Sequence, residues 1–200
     1  TETDGLNTFE IKIAGASFCM KPDEAYFIEI NPFDDESGLF ENKLSDRLPI
    51  STFIKIFKKV FENDEIKKVC QNGKYDIAVL RSIGIEVKNF YFDTMLASYV
   101  LDADQKHGMD DLSEKYLNYS PIPISTLIGE KKDPKKIFEA EANVLSNYAA
   151  EDADITYKLY EKLDKELKKA GIEKVAYDIE FPLVHVLEDM ENEGIKIDVA

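Results

Sequence analysis

The chain has 200 residues, of which 44% are hydrophobic and 11% aromatic, a composition that excludes a disordered protein. It contains no run of eighteen apolar residues, which excludes a membrane-spanning helix, and residues 1–7 do not have the pattern of a signal peptide. The formal net charge of −15 argues against tight autonomous binding of nucleic acid, because phosphate contacts need Lys and Arg. Clustered carboxylates could nevertheless act on an anionic substrate through divalent metal ions.

The first part of the sequence predicts three consecutive strands with short links. Phe9, Ile11 and Ile13 alternate with polar residues, which indicates a half-buried strand, and residues 14–20 and 25–30 predict two more with a turn at Pro22-Asp23. Residues 31–48 are rich in turn formers and predict a loop with at most a short helix.

The remaining sequence predicts helices alternating with a short strand. The first predicted segments are a helix from 51, a strand at 66–70, a helix at 76–83 ended by Gly84, and helices begun by Asp93 and by Asp110 or Asp111. They are followed by a long helical stretch at 138–169, continuous or broken, that is ended by Gly171, and by a helix at 177–193 ended by Gly194. Three strands followed by such an alternation predict an α/β fold, a mixed sheet flanked by helices.

Two conspicuous groups of residues are assigned no chemistry. Cys19 and Cys70 lack the spacing of a zinc site or a disulfide framework, so we expect two reduced thiols and a cytoplasmic protein. The lysine pairs at 131–132 and 135–136 are interpreted as a solvated loop rather than a phosphate contact.

Three acidic segments could carry chemistry, namely 1–6, 71–76 and 148–154. In the last of these, Tyr148 and Asp152 are four residues apart and therefore share one helix face. A carboxylate can hold a metal ion and a phenol can orient a water molecule, although an ordinary acidic helix with one buried Tyr explains this segment equally well in isolation. Asp76 lies at a strand-to-helix connection, where it could line a cleft or simply favour the helix N-terminus.

Taken together, the three segments resemble the exonuclease motifs of family A DNA polymerases, the group that includes bacterial DNA polymerase I. The family's Asp-Thr-Glu-Thr-Asp corresponds to Thr1-Glu2-Thr3-Asp4, its Gln-Asn-x-Lys-Tyr-Asp to 71–76, and its Tyr-Ala-Ala-Glu-Asp-Ala-Asp to 148–154. Segments 92–99 and 107–112 also look like that family. The order and spacing of the motifs agree along nearly the whole chain.

This resemblance implies a ribonuclease H-like fold, with a mixed five-stranded sheet that starts with three antiparallel strands. It implies a proofreading 3′→5′ exonuclease that hydrolyses the 3′ end of DNA with two divalent ions, Mg²⁺ or Mn²⁺. The implied metal ligands are Glu2, Asp76 and Asp152, and Tyr148 would complete the catalytic set by orienting the attacking water together with Glu2. The implied substrate-binding residues are Thr3, Leu6, Gln71, Asn72 and Tyr75, with Leu6 as a wedge against the terminal base.

The family's first aspartate would directly precede Thr1. In a molecule that begins at Thr1 we expect the α-ammonium group to lie where that carboxylate belongs, and we expect metal binding and exonuclease activity to be impaired.

The resemblance also implies a domain division. Residues 1–174 would form the exonuclease domain, and residues 175–200 look like the opening helix of a polymerase domain of the same polypeptide. The expected partner is therefore a single-stranded or frayed DNA 3′ end, with no membrane and a monomeric state.

Two other functions remain open. The first is a catalytically impaired module that braces the polymerase domain, and the second is an RNA-trimming exonuclease of the same fold. The retention of Glu2, Asp76, Tyr148 and Asp152 argues against the brace, and the polymerase-like tail argues against RNA trimming.

Overall fold

The computed structural model describes residues 1–33, 46–129 and 133–198. Most of the predicted loop at 31–48 therefore lies outside the described residues, as do Lys131 and Lys132. Across the described ranges, none of the helices combines the length and the apolar character needed to cross a membrane.

One sheet contains four strands in the order β1-β2-β3-β4, which are Glu2–Thr3, Ile13–Lys21, Glu24–Asn31 and Leu48–Pro49. β1, β2 and β3 are antiparallel neighbours, and β4 runs parallel to β3. The turn between β2 and β3 is at Pro22-Asp23, as predicted. Asp23 has a φ of 64°, a left-handed conformation that Asp tolerates better than most residues.

The predicted first strand at 9–13 is wrong, because most of it belongs to the loop that joins β1 to β2. The Asp4 amide donates to the Lys12 carbonyl at 3.2 Å, and the Lys12 amide donates to Asp4 Oδ1 at 2.7 Å. These two bonds close residues 5–11 into a loop. The alternation of apolar and polar residues did not reflect a strand here. Phe9 is 69% exposed on this loop, whereas Ile11 packs against the core beneath it.

A second sheet pairs β5 (Lys68–Cys70) with β6 (Phe90–Asp93) in parallel. The α/β fold with a mixed sheet and flanking helices is confirmed, but the described strands form two ladders rather than one five-stranded ladder. Thr1, directly before β1, contacts Asp76 of α2, the helix that follows β5, but among the described residues β1 does not pair with the second sheet.

The helices surround the two sheets. In chain order they are α1 (Ile50–Phe61), α2 (Gly73–Ser82), α3 (Thr94–Leu101), α4 (Met109–Leu117), α5 (Ser125–Ile128), a 3₁₀ helix (Pro134–Glu139), α6 (Ala142–Ala170), α7 (Glu173–Val175), a π-helical turn (Ala176–Glu180) and α8 (Phe181–Glu193).

Several predicted helix boundaries are confirmed by their capping interactions. The Asp93 carboxylate accepts hydrogen bonds from the Met95 and Leu96 amides and begins α3. Gly171, with a φ of 68°, ends α6. The final helix differs from the prediction, because a π-helical turn precedes α8. Pro182 in the first turn of α8 lacks an amide proton, which accounts for an irregular backbone just before it.

α6 is the central element of the core. Its buried residues Leu159, Leu163 and Leu167 pack with Phe92 of β6, while Leu145 at its other end packs with Ala14 of β2. α6 also contacts both strands of the β2–β3 hairpin. The helix is therefore fixed against both sheets, which fixes the orientation of the segment that carries Tyr148 and Asp152.

Candidate active site

The three acidic motifs meet at the start of β1. The Thr1 ammonium group donates to Asp76 Oδ1 at 2.8 Å, and the Thr1 hydroxyl donates to the same oxygen at 2.7 Å. Because Asp76 lies in the first turn of α2, these bonds connect the first and second motifs across 75 residues. Glu2 follows in β1, where it is held opposite Gly15 of β2.

Glu2 lies within electrostatic reach of the carboxylates of the other two motifs. Burial raises the pKa of Glu2, the Thr1 ammonium lowers it, and the charge of Asp76 raises it again. Glu2 in turn raises the pKa of Asp152. Glu2 therefore interacts electrostatically with both Asp76 and Asp152, and these three carboxylates are here called the acidic cluster.

Asp152 and Tyr148 form the α6 side of the cluster. Burial, followed by repulsion from Glu2, raises the pKa of Asp152 to about 7, and a hydrogen-bonding interaction with the Tyr148 hydroxyl opposes this shift. Burial and the negative charges of Asp152 and Glu2 raise the pKa of Tyr148 well above its usual range. Tyr148 is therefore a phenol at neutral pH, able to donate a hydrogen bond but not to act as a base.

The Thr1 ammonium group is the cation of this cluster. Burial opposes its charge, but attraction to Asp76 and Glu2 outweighs burial and raises its pKa to about 10. Among the ion pairs of the described residues, Asp76 pairs with this ammonium group, and no Lys or Arg side chain pairs with Glu2, Asp76 or Asp152. The carboxylates thus attract positive charge that the side chains do not supply.

The donor chemistry of the cluster fits a hard divalent cation, because all three groups offer carboxylate oxygens. Within the described ranges, however, no three metal-binding side chains are arranged so that they could hold an ion. For Glu2, Asp76 and Asp152 to hold a metal ion, a further ligand or a movement of side chains would have to complete the site.

The turn that precedes Asp76 is positioned by Asp93. Besides capping α3, its buried carboxylate accepts hydrogen bonds from the Gly73 amide at 2.7 Å and the Asn72 amide at 3.3 Å. Gly73 is required here, because an added Cβ would lie 2.4 Å from the Phe90 ring. Asp93 was predicted only as a helix cap, and its second role, fixing the start of α2, could not be inferred from local sequence.

Thr3 and Tyr75 hold the chain that leaves β1. The Tyr75 hydroxyl donates to the Gly5 carbonyl at 2.6 Å, and the Thr3 hydroxyl donates to the same carbonyl at 3.0 Å. The two hydroxyl groups also contact each other. Both predicted substrate-binding residues therefore lie at the site, where they fix the loop that carries Leu6.

Leu6 and Asn72 lie on the open side of the cluster. Leu6 is 86% exposed, and Asn72 is exposed with a left-handed φ of 57°. Gln71 is placed differently from these two. Its amide nitrogen donates to the His107 carbonyl at 2.9 Å, and its amide oxygen accepts from the Thr94 hydroxyl, so both ends of the side chain already have protein partners.

Other acidic residues near the third motif have separate partners. Glu151 accepts hydrogen bonds from the Ile122 amide and the Tyr119 hydroxyl, and Asp154 accepts from the Asp23 amide at 2.7 Å, so both carboxylates have partners outside the cluster. Asp110 was missed, although its charge contributes to raising the pKa of Asp152. Its place within the 107–112 segment, which resembles the family, was the signal that could have identified it.

Comparisons with known proteins agree with this geometry. The sequence family described as 3′–5′ exonuclease matches residues 1–168. DNA polymerase I of Rhizobium leguminosarum is 35% identical over 209 residues, which covers 99% of this chain and 20% of that protein. DNA polymerase I of Borreliella burgdorferi is 33% identical and covers 99% of this chain and 20% of that protein. The chain thus spans about a fifth of the length of these relatives.

Solved structures support the same fold. A structure described as the apo form of a nuclease has a TM-score of 0.74 at 20% identity, covering 100% of this chain and 86% of its own. Brucella melitensis NrnC with bound Mg²⁺ has a TM-score of 0.73 at 21% identity with the same coverage. Because the family matches most of the chain, the chain belongs to the 3′–5′ exonuclease family.

Proposed function

We propose that this chain is the proofreading exonuclease domain of a DNA polymerase I and that it hydrolyses the 3′-terminal nucleotide of DNA. The observation that carries this proposal is the cluster of Glu2, Asp76 and Asp152 beside Tyr148, built from three segments far apart in sequence. The similarity to bacterial DNA polymerase I over 99% of the chain supports the assignment of DNA as the substrate.

Glu2, Asp76 and Asp152 would hold the divalent ions, Mg²⁺ or Mn²⁺. When bound, such ions supply positive charge to the phosphoryl oxygens and favour deprotonation of the attacking water. The protein's own contribution is to keep three carboxylates close together despite their repulsion, which the folding of β1, α2 and α6 enforces.

Tyr148 would orient the attacking water. Its hydroxyl stays protonated because its pKa is raised, and it shares that proton with Asp152, so its oxygen would accept a hydrogen bond from the water and hold the water toward the phosphorus. Glu2, which interacts electrostatically with the Tyr148 hydroxyl, would accept a hydrogen bond from that water. Asp152 fixes the Tyr148 hydroxyl through their mutual interaction.

The DNA strand would lie along the exposed side of the cluster. Leu6 would contact the terminal base, and Asn72 and Tyr75 would line the path of the strand. Thr3 and Gln71 would act indirectly. Thr3 would hold the loop that carries Leu6, and Gln71 would hold the turn after β5.

The decisive experiment adds one residue before Thr1. We expect an added Asp to replace the ammonium group with an amide and to supply a carboxylate, and therefore to raise the Mg²⁺-dependent release of nucleotides from single-stranded DNA by more than about 10-fold. An added Asn is the matched control, because it also converts the Thr1 ammonium group to an amide and moves the α-ammonium group one residue upstream, but adds no carboxylate.

Equal rates for the unextended, Asn-extended and Asp-extended chains would contradict the proposed ligand set. No binding of Mn²⁺ to the Asp-extended chain by calorimetry would favour the alternative of a structural brace. Faster release from RNA than from DNA 3′ ends would instead favour an RNA-trimming enzyme.

The division into an exonuclease domain at 1–174 and the opening of a polymerase domain at 175–200 is part of the proposal. The family match ends at residue 168, before α7 and α8. α8 nevertheless packs on the exonuclease core, where the Phe181 and Phe92 rings have centroids 4.9 Å apart. The opposite side of α8 exposes Leu183, Val186 and Met190, an apolar surface that a following polymerase domain would cover. A cytoplasmic location and a monomeric state stay predictions.

A further inference from the structure

A groove with a volume of about 640 Å³ lies between the loop that carries Leu6 and the helices α2 and α8. This groove, here called the α2–α8 groove, is lined by the 5–12 loop on one side and by the two helices on the other; its lining includes Leu6, Phe9, Asn72, Tyr75, Arg81 and Glu188. Its volume lies within the range of ~300–1,000 Å³ that is typical of ligand sites.

Phe9 is the aromatic side chain that the loop presents to this groove. Its ring is 69% exposed, although burial of a Phe side chain would stabilise the fold. The loop is held at its base by the two bonds between Asp4 and Lys12, and the Phe9 amide donates to Asn7 Oδ1 at 3.3 Å. The ring is thus presented by a closed loop and remains free for a ligand.

The charges of the groove favour a stacked base over a phosphate as the main contact. Its two cations, Lys74 and Arg81, already pair with Glu191 at 2.5 Å and with Glu188 at 2.8 Å across the helix interface. Little uncompensated positive charge therefore remains to attract the DNA backbone. Stacking of bases on aromatic rings does not need such charge and tolerates any sequence.

From these observations we infer that Phe9 stacks on a second nucleobase of the bound strand, next to the base that Leu6 contacts. This inference rests on the proposed function, since it assigns a subsite for the same substrate. Phe9 is a binding residue that touches the strand away from the reacting phosphate, so it acts on affinity more than on the chemical step.

The chain contains no Trp, so the Phe9→Trp variant carries a single fluorescent reporter at the proposed subsite. We expect its emission to be quenched when a short oligothymidylate binds in EDTA at low ionic strength. The matched control is Tyr26→Trp, because Tyr26 is 50% exposed on β3 and does not line the groove. Its emission should not respond.

Affinity gives the second readout. Phe9→Ala should weaken binding of the same strand, measured by fluorescence anisotropy, by roughly 5- to 100-fold, the range found for loss of one stacked base. In Mg²⁺ the variant should raise KM much more than it lowers kcat, and Phe9→Trp should restore the KM. Unchanged affinity in Phe9→Ala, or no quenching in Phe9→Trp, would overturn the inference.

The two proposals fail in different ways. Quenching at Phe9→Trp without any hydrolysis of 3′ ends would remove the proposed function and leave the subsite standing. Hydrolysis with an unresponsive Trp at this position would remove the subsite and leave the function.

Discussion

Two groups of carboxylates in this chain differ in how their charge is compensated. At the interface of α2 and α8, Glu188 and Asp189 pair with Arg81. In the acidic cluster, Glu2 and Asp152 have no side-chain cation among the ion pairs of the described residues, and their pKa values are raised. The first group is the pattern of a packed interface, whereas the second carries negative charge without a side-chain counterion, as the proposed metal site requires.

The difference teaches that net charge says little about function until the partner of each carboxylate is known. The chain has 40 acidic residues and 25 Lys and Arg residues, so negative charge is in excess over the sequence as a whole. Only where backbone elements force carboxylates together, without cations, does that excess become a site for divalent metal ions.

The largest expected effect comes from removing one carboxylate of the cluster. Asp76→Asn should lower metal-dependent nucleotide release from the Asp-extended chain by more than about 100-fold, because even residues outside the metal's direct ligands cost 10–100-fold. Asp189→Asn is the control from the paired group, since its side chain is 61% exposed. It should leave the rate within about twofold, and equal losses in both variants would erase the proposed distinction.

The second prediction concerns the stability cost of the cluster. Asp152 has a pKa of about 7 in the folded chain and 3.8 in a free carboxyl group, so folding favours its protonated form and its ionisation destabilises the fold as pH rises through 7. We expect Asp152→Asn to raise the free energy of unfolding by about 2–4 kcal/mol at pH 8 without metal. The gain should shrink as pH falls and vanish near pH 4.

Urea unfolding of both proteins in EDTA at several pH values measures this gain. A gain that is independent of pH would mean that the Asp152 charge is not the cause.

The third prediction tests the paired group. Arg81→Ala would leave Glu188, whose side chain is 3% exposed, without its cation, and should lower the free energy of unfolding by about 1–3 kcal/mol at pH 7. Replacing Glu188 by Gln in the same chain should recover part of that loss, because the uncompensated charge is then absent. A double-mutant cycle by urea unfolding gives the coupling, and strict additivity would contradict the pairing.

The smallest expected effect is at a more exposed ion pair. Lys158 contacts Asp154 at 2.5 Å and Asp23 at 2.6 Å, linking α6 to the β2–β3 turn. Lys158→Ala should lower the free energy of unfolding by only about 0.5–1 kcal/mol, since exposed pairs gain little in water. Thermal unfolding of both proteins at low and high salt measures this effect. A larger loss of stability in Lys158→Ala would show that the ion pair contributes more than expected.

Local sequence predicted much of the fold because the determining interactions are themselves local. The β2–β3 hairpin, the cap of α3 by Asp93 and the end of α6 at Gly171 all depend on residues within a few positions of one another. The strand predicted at 9–13 failed for the opposite reason. The bonds between Asp4 and Lys12, eight residues apart, turn that segment into a loop.

The acidic site was predictable only in part. The family resemblance pointed to Glu2, Asp76, Tyr148 and Asp152, and the structure brings these residues together. It did not point to the contribution of Asp110, or to the engagement of both ends of Gln71 by the protein. Each of these depends on contacts between elements far apart in sequence.

By itself, the amino-acid sequence determined the family, the order of most elements and the identity of the carboxylates, since motifs and hydrophobic periodicity are written along the chain. Only the tertiary structure decided which carboxylates remain uncompensated and which ring, Phe9, is left exposed on the loop after β1. Burial and pairing are set by the packing of distant segments, and electrostatic energies depend on distances that no linear pattern specifies.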